Sequence, residues 1–150
     1  MLHQIDQARS NSFAPVSANE FHAGLNSADR DALLLIEKRV MVPRGYGFVS
    51  DETIPTEIFI HLSGSAHIYA RHGSEPQKIV AEITPGGVLG LIEALADRSA
   101  GFTLVAATDC ECIAIAIDDF LRFGRERPEF LLYLVRSMGR HYGQLLGELR

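Results

Sequence analysis

Three groups of side chains in this 150-residue chain have types and spacing that suit chemistry. His61 and His67 flank Gly64 between two apolar runs, EIFIHLS and SAHIYA. A tight turn at Gly64 would set the two imidazoles opposite one another, and facing imidazoles can bind a metal. Strand alternation, however, sets both histidines on the face opposite Ile60 and Ile68, so they are expected outside the sheet as surface imidazoles. Cys110 and Cys112 lie two apart in CECIAIAI, on the same face of one strand. That spacing suits neither a disulfide framework nor a four-ligand zinc site, and buried, inert thiols are expected. Asp118-Asp119 precedes Phe120 and Leu121, which reads as the cap of a helix rather than as a pair of catalytic carboxylates. No Gly-x-Ser-x-Gly elbow is present.

The elements that must position these groups follow from periodicity. Ser17 with Glu20 makes a capping box for a short helix stopped by Gly24, and Ser27 is expected to cap a second helix with Ala32, Leu33, Leu35 and Ile36 on its apolar side. From Arg39 to Ile117 the pattern turns to period two in short runs broken by Pro43-Arg44-Gly45, Gly64 and Pro85-Gly86-Gly87. In KIVAEI the residues Ile79, Ala81 and Ile83 share a face. In CECIAIAI, Ile113, Ile115 and Ile117 face one way and Cys112, Ala114 and Ala116 the other, so both faces of that strand must be covered. Asp118 caps a helix ending at Gly124, and Pro128 opens a last helix. The fold class expected is mainly β: a double-stranded, jelly-roll-like β-roll with N-terminal helices and a long C-terminal helix. Residues 1–16 are expected as a flexible arm and 17–150 as the domain, with helices in 17–37, the β-roll in 39–117 and closing helices in 118–150.

The last helix carries a further signal. Leu131, Val135, Met138, Tyr142, Leu145 and Leu149 are spaced 4-3-4-3-4, a heptad seam. Phe130 and Leu134 point elsewhere and suit docking of the helix root on the barrel. Gly139, Gly143 and Gly147 recur every four residues, each costing a helix interior about 1 kcal/mol against alanine. A partner helix approaching closely would explain them, so the seam is expected to pair two copies of the chain.

Composition excludes several classes. Net charge is −5 and the pI about 5.6, unlike a surface built to grip phosphate backbones. The apolar runs are too short to span a bilayer, the start lacks a signal-peptide pattern, and a reducing cytoplasm is expected. The arginines at 122, 125, 127, 136 and 140 make the C-terminal part the most basic, read as a solvated face, with an acidic protein partner as the alternative.

From Val42 to Arg150 the chain resembles the sensory domain of cyclic nucleotide-binding proteins, in particular catabolite activator-like (Crp/Fnr-type) regulators. The matching pieces are VPRG, IFIHLSGSAHIY, ITPGGVLG, LVAATDCECIAI and DDFLRF followed by RPEFLLYLV. The resemblance implies a cassette after Gly90 in which backbone amides and an arginine hold a cyclic phosphate while a glutamate holds the ribose. Aligned without gaps, Leu91 stands at the glutamate and Ala100 at the arginine, with Glu93 and Arg98 each two residues displaced. Losing both polar anchors weakens nucleotide binding by about two to four orders of magnitude. The resemblance also places Ile68, Ala81, Ile83, Leu89, Gly90, Leu91 and Ile92 around the interior, which suits a less polar ligand; Glu93, Arg98, Ser99 and Ala100 complete the candidate site. It further implies a DNA-reading domain after the long helix in full-length regulators, and the chain stops at Arg150, so direct DNA binding is not expected.

The reading is therefore a non-enzymatic, stand-alone sensory module that needs no cofactor and dimerises through its C-terminal helix. Alternatives are a ligand-free dimerisation or partner-docking module, a cyclic nucleotide binder using Arg98 and Glu93, and a metal-dependent jelly-roll enzyme using His61 and His67.

Overall fold

The computed structural model describes residues 16–70 and 78–148. Two short helices, α1 (Ala18–Ala23) and α2 (Ser27–Leu34), lead into strands β1 (Glu37–Val42), β2 (Gly47–Val49), β3 (Glu57–His61), β4 (Ala66–Ala70), β5 (Lys78–Ile83) and β6 (Val88–Leu89). Then come helix α3 (Leu91–Ala96), strands β7 (Phe102–Ala106) and β8 (Cys110–Ala116), and helices α4 (Ile117–Glu126) and α5 (Pro128–Glu148). The strands form two four-stranded antiparallel sheets, ordered β1-β8-β3-β6 and β2-β7-β4-β5. This is the jelly-roll-like β-roll with flanking helices that periodicity indicated.

The core has two layers, and β8 belongs to both. Phe59, Ile68, Leu104, Cys112 and Ala114 fill the space between the sheets. On the outer face of the first sheet, Ile58, Ile60 and Ile115 pack under Phe21, Phe120, Phe130 and Leu134 of the helices. Edge-to-face rings seal that layer, with Phe21 and Phe130 centroids 5.3 Å apart. The two-faced burial of CECIAIAI is thus explained: helices cover one side and the facing sheet the other.

Local capping follows the sequence in part. Ser17 and Glu20 form the expected capping box, with the Glu20 amide donating to Ser17 Oγ at 3.1 Å. The cap of α2 is Asn26, not Ser27, because the Asn26 carboxamide accepts from the Asp29 amide at 2.8 Å. Leu35 is 87% exposed rather than on a buried face, since α2 ends before it. Ala116 caps α4, so Asp118 and Asp119 sit in its first turn, where carboxylates suit the helix dipole. That helix runs past Gly124 to Glu126, and Gly124 is where Leu131 of α5 comes to rest. Pro128 is the first residue of α5. The expected N-terminal arm lies outside the described residues except for Val16, which is buried and accepts a hydrogen bond from the Val88 amide at 2.9 Å.

Two strand readings are corrected. The runs around Gly64 do not form a hairpin: β3 belongs to one sheet and β4 to the other, so His61 registers with Cys112 while His67 registers with Glu82 and Val105. The chain crosses because the Leu62 and Ser63 amides both donate to the Glu111 carbonyl, with Gly64 at φ +84°. His61 is consequently inside, 1% exposed and 6.3 Å from the Phe48 ring, not on the surface. In β5 the pairing skips Val80 opposite Ile68 and Tyr69, a bulge that breaks alternation and leaves Ile79 exposed while Ala81 and Ile83 stay buried. Arg127 is likewise not a solvated arginine: it pairs with Asp29 at 2.9 Å and lies 4.1 Å over the Phe123 ring.

Candidate functional site

The site is built where β6 hands over to α3. Gly90 caps that helix at φ +84°, a left-handed conformation that favours glycine, and a Cβ there would lie 3.3 Å from the Glu57 carbonyl oxygen. The turn therefore brings the backbone close against β3, with Val49 alongside. Beside it lies a cavity of about 110 Å³.

Ile68 and Ile83 come into this cavity from the second sheet, and Leu89, Gly90, Ile92 and Glu93 from the turn. The register explains the convergence, because Ile68 pairs with Ala81 on one side and Leu104 on the other. Val49, Phe102 and Leu104 complete the lining and were not picked out by sequence. Alternation within FTLVAA puts Phe102 and Leu104 on one face; only the pairing with β4 tells that this face is the inner one. Ala81 and Ala100 are buried in the same inter-sheet core without lining the cavity.

Leu91 is a correction. It is buried in the helix-side core with Phe21 and Phe120, not in the barrel interior, because the first turn of α3 rolls it away from Gly90. Arg98 is exposed and Ser99 half-buried, and neither is among the residues lining the cavity. The two positions that the family resemblance assigns to ribose and phosphate anchors are thus occupied by buried apolar side chains.

Among the described residues, Glu93 is the one charged residue in the lining. Burial pushes its carboxyl above the ordinary range, and its own backbone amide is the group that steadies the charged form. Among the described residues no cation pairs with it. A second hollow of about 220 Å³ shares Val49 and is lined by Tyr46, Phe48 and Phe59 together with Ser50, Thr53 and Glu57. Burial first, then the Glu57 charge, raise the Tyr46 phenol above its usual value.

Cys110 and Cys112 are buried free thiols, and burial pushes Cys112 up to about 12, far from a reactive thiolate. No group of three or more His, Cys, Asp or Glu among the described residues is placed to hold a metal.

The cyclic nucleotide-binding domain family model matches residues 40–127. The chain belongs to that family. The Thermus thermophilus catabolite activator protein superposes with a TM-score of 0.70 at 22% identity, covering 87% of this chain and 61% of that one. The sensor domain of the transcriptional regulator DNR from Pseudomonas aeruginosa gives a TM-score of 0.68 at 15% identity, covering 86% of this chain and 87% of that one. Among curated proteins, the potassium channel AKT2 of Oryza sativa subsp. japonica is 24% identical over 115 residues, 75% of this chain. The chain spans only 14% of that channel's length. The fold is that of the Crp/Fnr-type sensor domain. No helix among the described residues is long and apolar enough to cross a membrane.

Proposed function

We propose that this cyclic nucleotide-binding-type domain is a sensory module whose input is a small, largely apolar ligand at the Gly90 cavity and whose output is the C-terminal helix pairing two copies. The observation that carries this reading is the lining: apolar side chains from both sheets converge on a cavity whose family anchors are replaced by Leu91 and Ala100. Among the described residues, a cyclic phosphate entering there would meet Glu93 and no arginine.

A continuous set of contacts runs from the cavity to the helix. Leu89 lines the cavity, and its neighbour Val88 donates to the Val16 carbonyl at 2.9 Å. The Ala18 amide donates to the Gly86 carbonyl at 2.7 Å, so the start of α1 is stitched to the Pro85-Gly87 turn. Glu20 of α1 then meets His141 of α5 at 2.8 Å. Movement of the turn on ligand entry would thereby reach the long helix through α1. The same face of α5 is fixed by Phe130 and Leu134, both buried.

Calorimetric titration with cyclic AMP and cyclic GMP tests the reading. No saturable binding in the micromolar range is expected, whereas small apolar compounds should raise the melting temperature. Micromolar binding of either nucleotide would overturn the assignment. A flat response to every compound would favour a ligand-free dimerisation module instead, a rival that the small cavity volume supports, since ordinary ligand sites span about 300–1,000 Å³.

A further inference from the structure

Resting on the reading of the Gly90 cavity as a ligand site, the chemistry of its lining narrows the ligand. Ile68, Ile83, Leu89 and Phe102 supply an apolar wall, and Glu93, from the first turn of α3, supplies the one charge among the described lining residues. An anion would face a like charge at Glu93, with no cation among the described lining residues to offset it. A wholly apolar guest would strip water from the half-buried Glu93 carboxylate and give it no partner, which is unfavourable for its charged form. A guest with a cationic head on a short apolar body satisfies the wall and the carboxylate together.

We propose that the cavity takes a short-chain primary amine, its ammonium group donating to the Glu93 carboxylate and its hydrocarbon body packed between the two sheets. Size sets the body. A cavity of about 150 Å³ admits the six carbons of a benzene ring, so the 110 Å³ present here suits a body of about four carbons. Burial raises the Glu93 carboxyl, and an ammonium group beside it would return it toward its ordinary value. Ile92, half-exposed and in the lining, marks where the guest enters.

The test is a titration of the full chain, carbon-13 labelled at methyl groups, with n-butylamine, n-butanol and butyrate in parallel. Butylamine should shift the methyl signals of Ile68, Ile83 and Ile92 saturably in the millimolar range. It should bind at least about tenfold tighter than butanol, the gain of one charge-assisted contact. Butyrate should leave the spectrum unchanged. Glu93→Gln should reduce butylamine to the affinity of butanol while butanol binding itself persists, which also shows that the variant's cavity is intact. Equal binding of amine, alcohol and acid, or an unaltered amine preference in Glu93→Gln, overturns the amine assignment while leaving the cavity as a ligand site. Methyl signals that move with none of the three compounds overturn both the assignment and the reading on which it rests.

Discussion

At the level of single residues, His61 is the side chain whose surroundings carry the largest consequence. Its ring lies inside the barrel, and neither nitrogen reaches a hydrogen-bond partner at proper geometry. Burial lowers its pKa below the ordinary 6.5, tempered by the nearby backbone of Gly64, Ser63 and Thr84. The unfolded chain therefore takes up this proton first as the solution is acidified. Stability from the neutral ring is complete above about pH 6.5 and is lost as pH falls toward the depressed folded value, by at most about 1.4 kcal/mol per pH unit. Glu20 titrates in a separate window. Burial raises it, but His141 and Ser17 outweigh that and hold the carboxyl below its ordinary 4.5, so its contribution is lost only at lower pH. His61→Leu should flatten the fall in urea midpoint between about pH 7 and 5 and leave neutral stability equal or higher, because an unpaired buried polar ring is removed. An unchanged slope in the variant would assign the acid sensitivity to other groups.

At the level of elements, the crossing at Gly64 decides which strands share a sheet. A Cβ on Gly64 would sit 2.8 Å from Cys110 Sγ and closer still to the Asp109 carbonyl oxygen, in addition to the strain of φ +84°. Gly45 has a similar φ of +92° with nothing within 4 Å of a Cβ, so it isolates the conformational cost alone. Gly45→Ala should lose about 1–2 kcal/mol in urea unfolding, the left-handed penalty. Gly64→Ala should lose clearly more, because β8 must shift to make room; equal losses would mean that the close approach carries no cost. The same crossing explains what the sequence could and could not tell. Strand positions were legible because period-two runs end at Gly and Pro, and the capping box placed α1. The inward face of β3 was not legible: Ile58, Phe59, Ile60 and His61 are all buried, so alternation offers no contrast between faces. Assuming that Ile60 faced inward sent His61 outward. Of the cavity lining, Ile68, Ile83, Leu89 and Gly90 are positions that the family pattern sets around the interior, whereas Val49 and Leu104 depend on strand register, which no local pattern encodes. Leu91 was misplaced because a helix of 6 residues turns successive side chains into different layers.

At the level of the whole molecule, α5 divides into a packed side and an open side. Phe130, Leu134 and Ser137 are buried, and His141 holds Glu20. The heptad seam does not fall wholly on the open side. Leu131 rests on Gly124 and Met138 packs against the helix-side core, while Val135 is 56% and Tyr142 63% exposed; Leu145 and Leu149 lie outside the described side chains. Leu132 joins Val135 and Tyr142 as an exposed large apolar residue, and the Cβ positions of Gly139 and Gly143 open on empty space. An apolar ridge with flat glycine ground between its side chains suits a second helix at close range, and a two-fold copy supplies one with the same ridge. If α5 pairs in this way, folding and association are linked, so the melting temperature of the native chain should climb with protein concentration. Replacing Val135 and Tyr142 together by glutamate puts like charges across the two-fold axis without touching the buried side of the helix. Light scattering should then report a monomer, and the concentration dependence of melting should vanish while the circular dichroism spectrum keeps its strand and helix content. A variant that stays dimeric would place the contact on another face, and the output proposed for the Gly90 cavity would have to travel by a different helix.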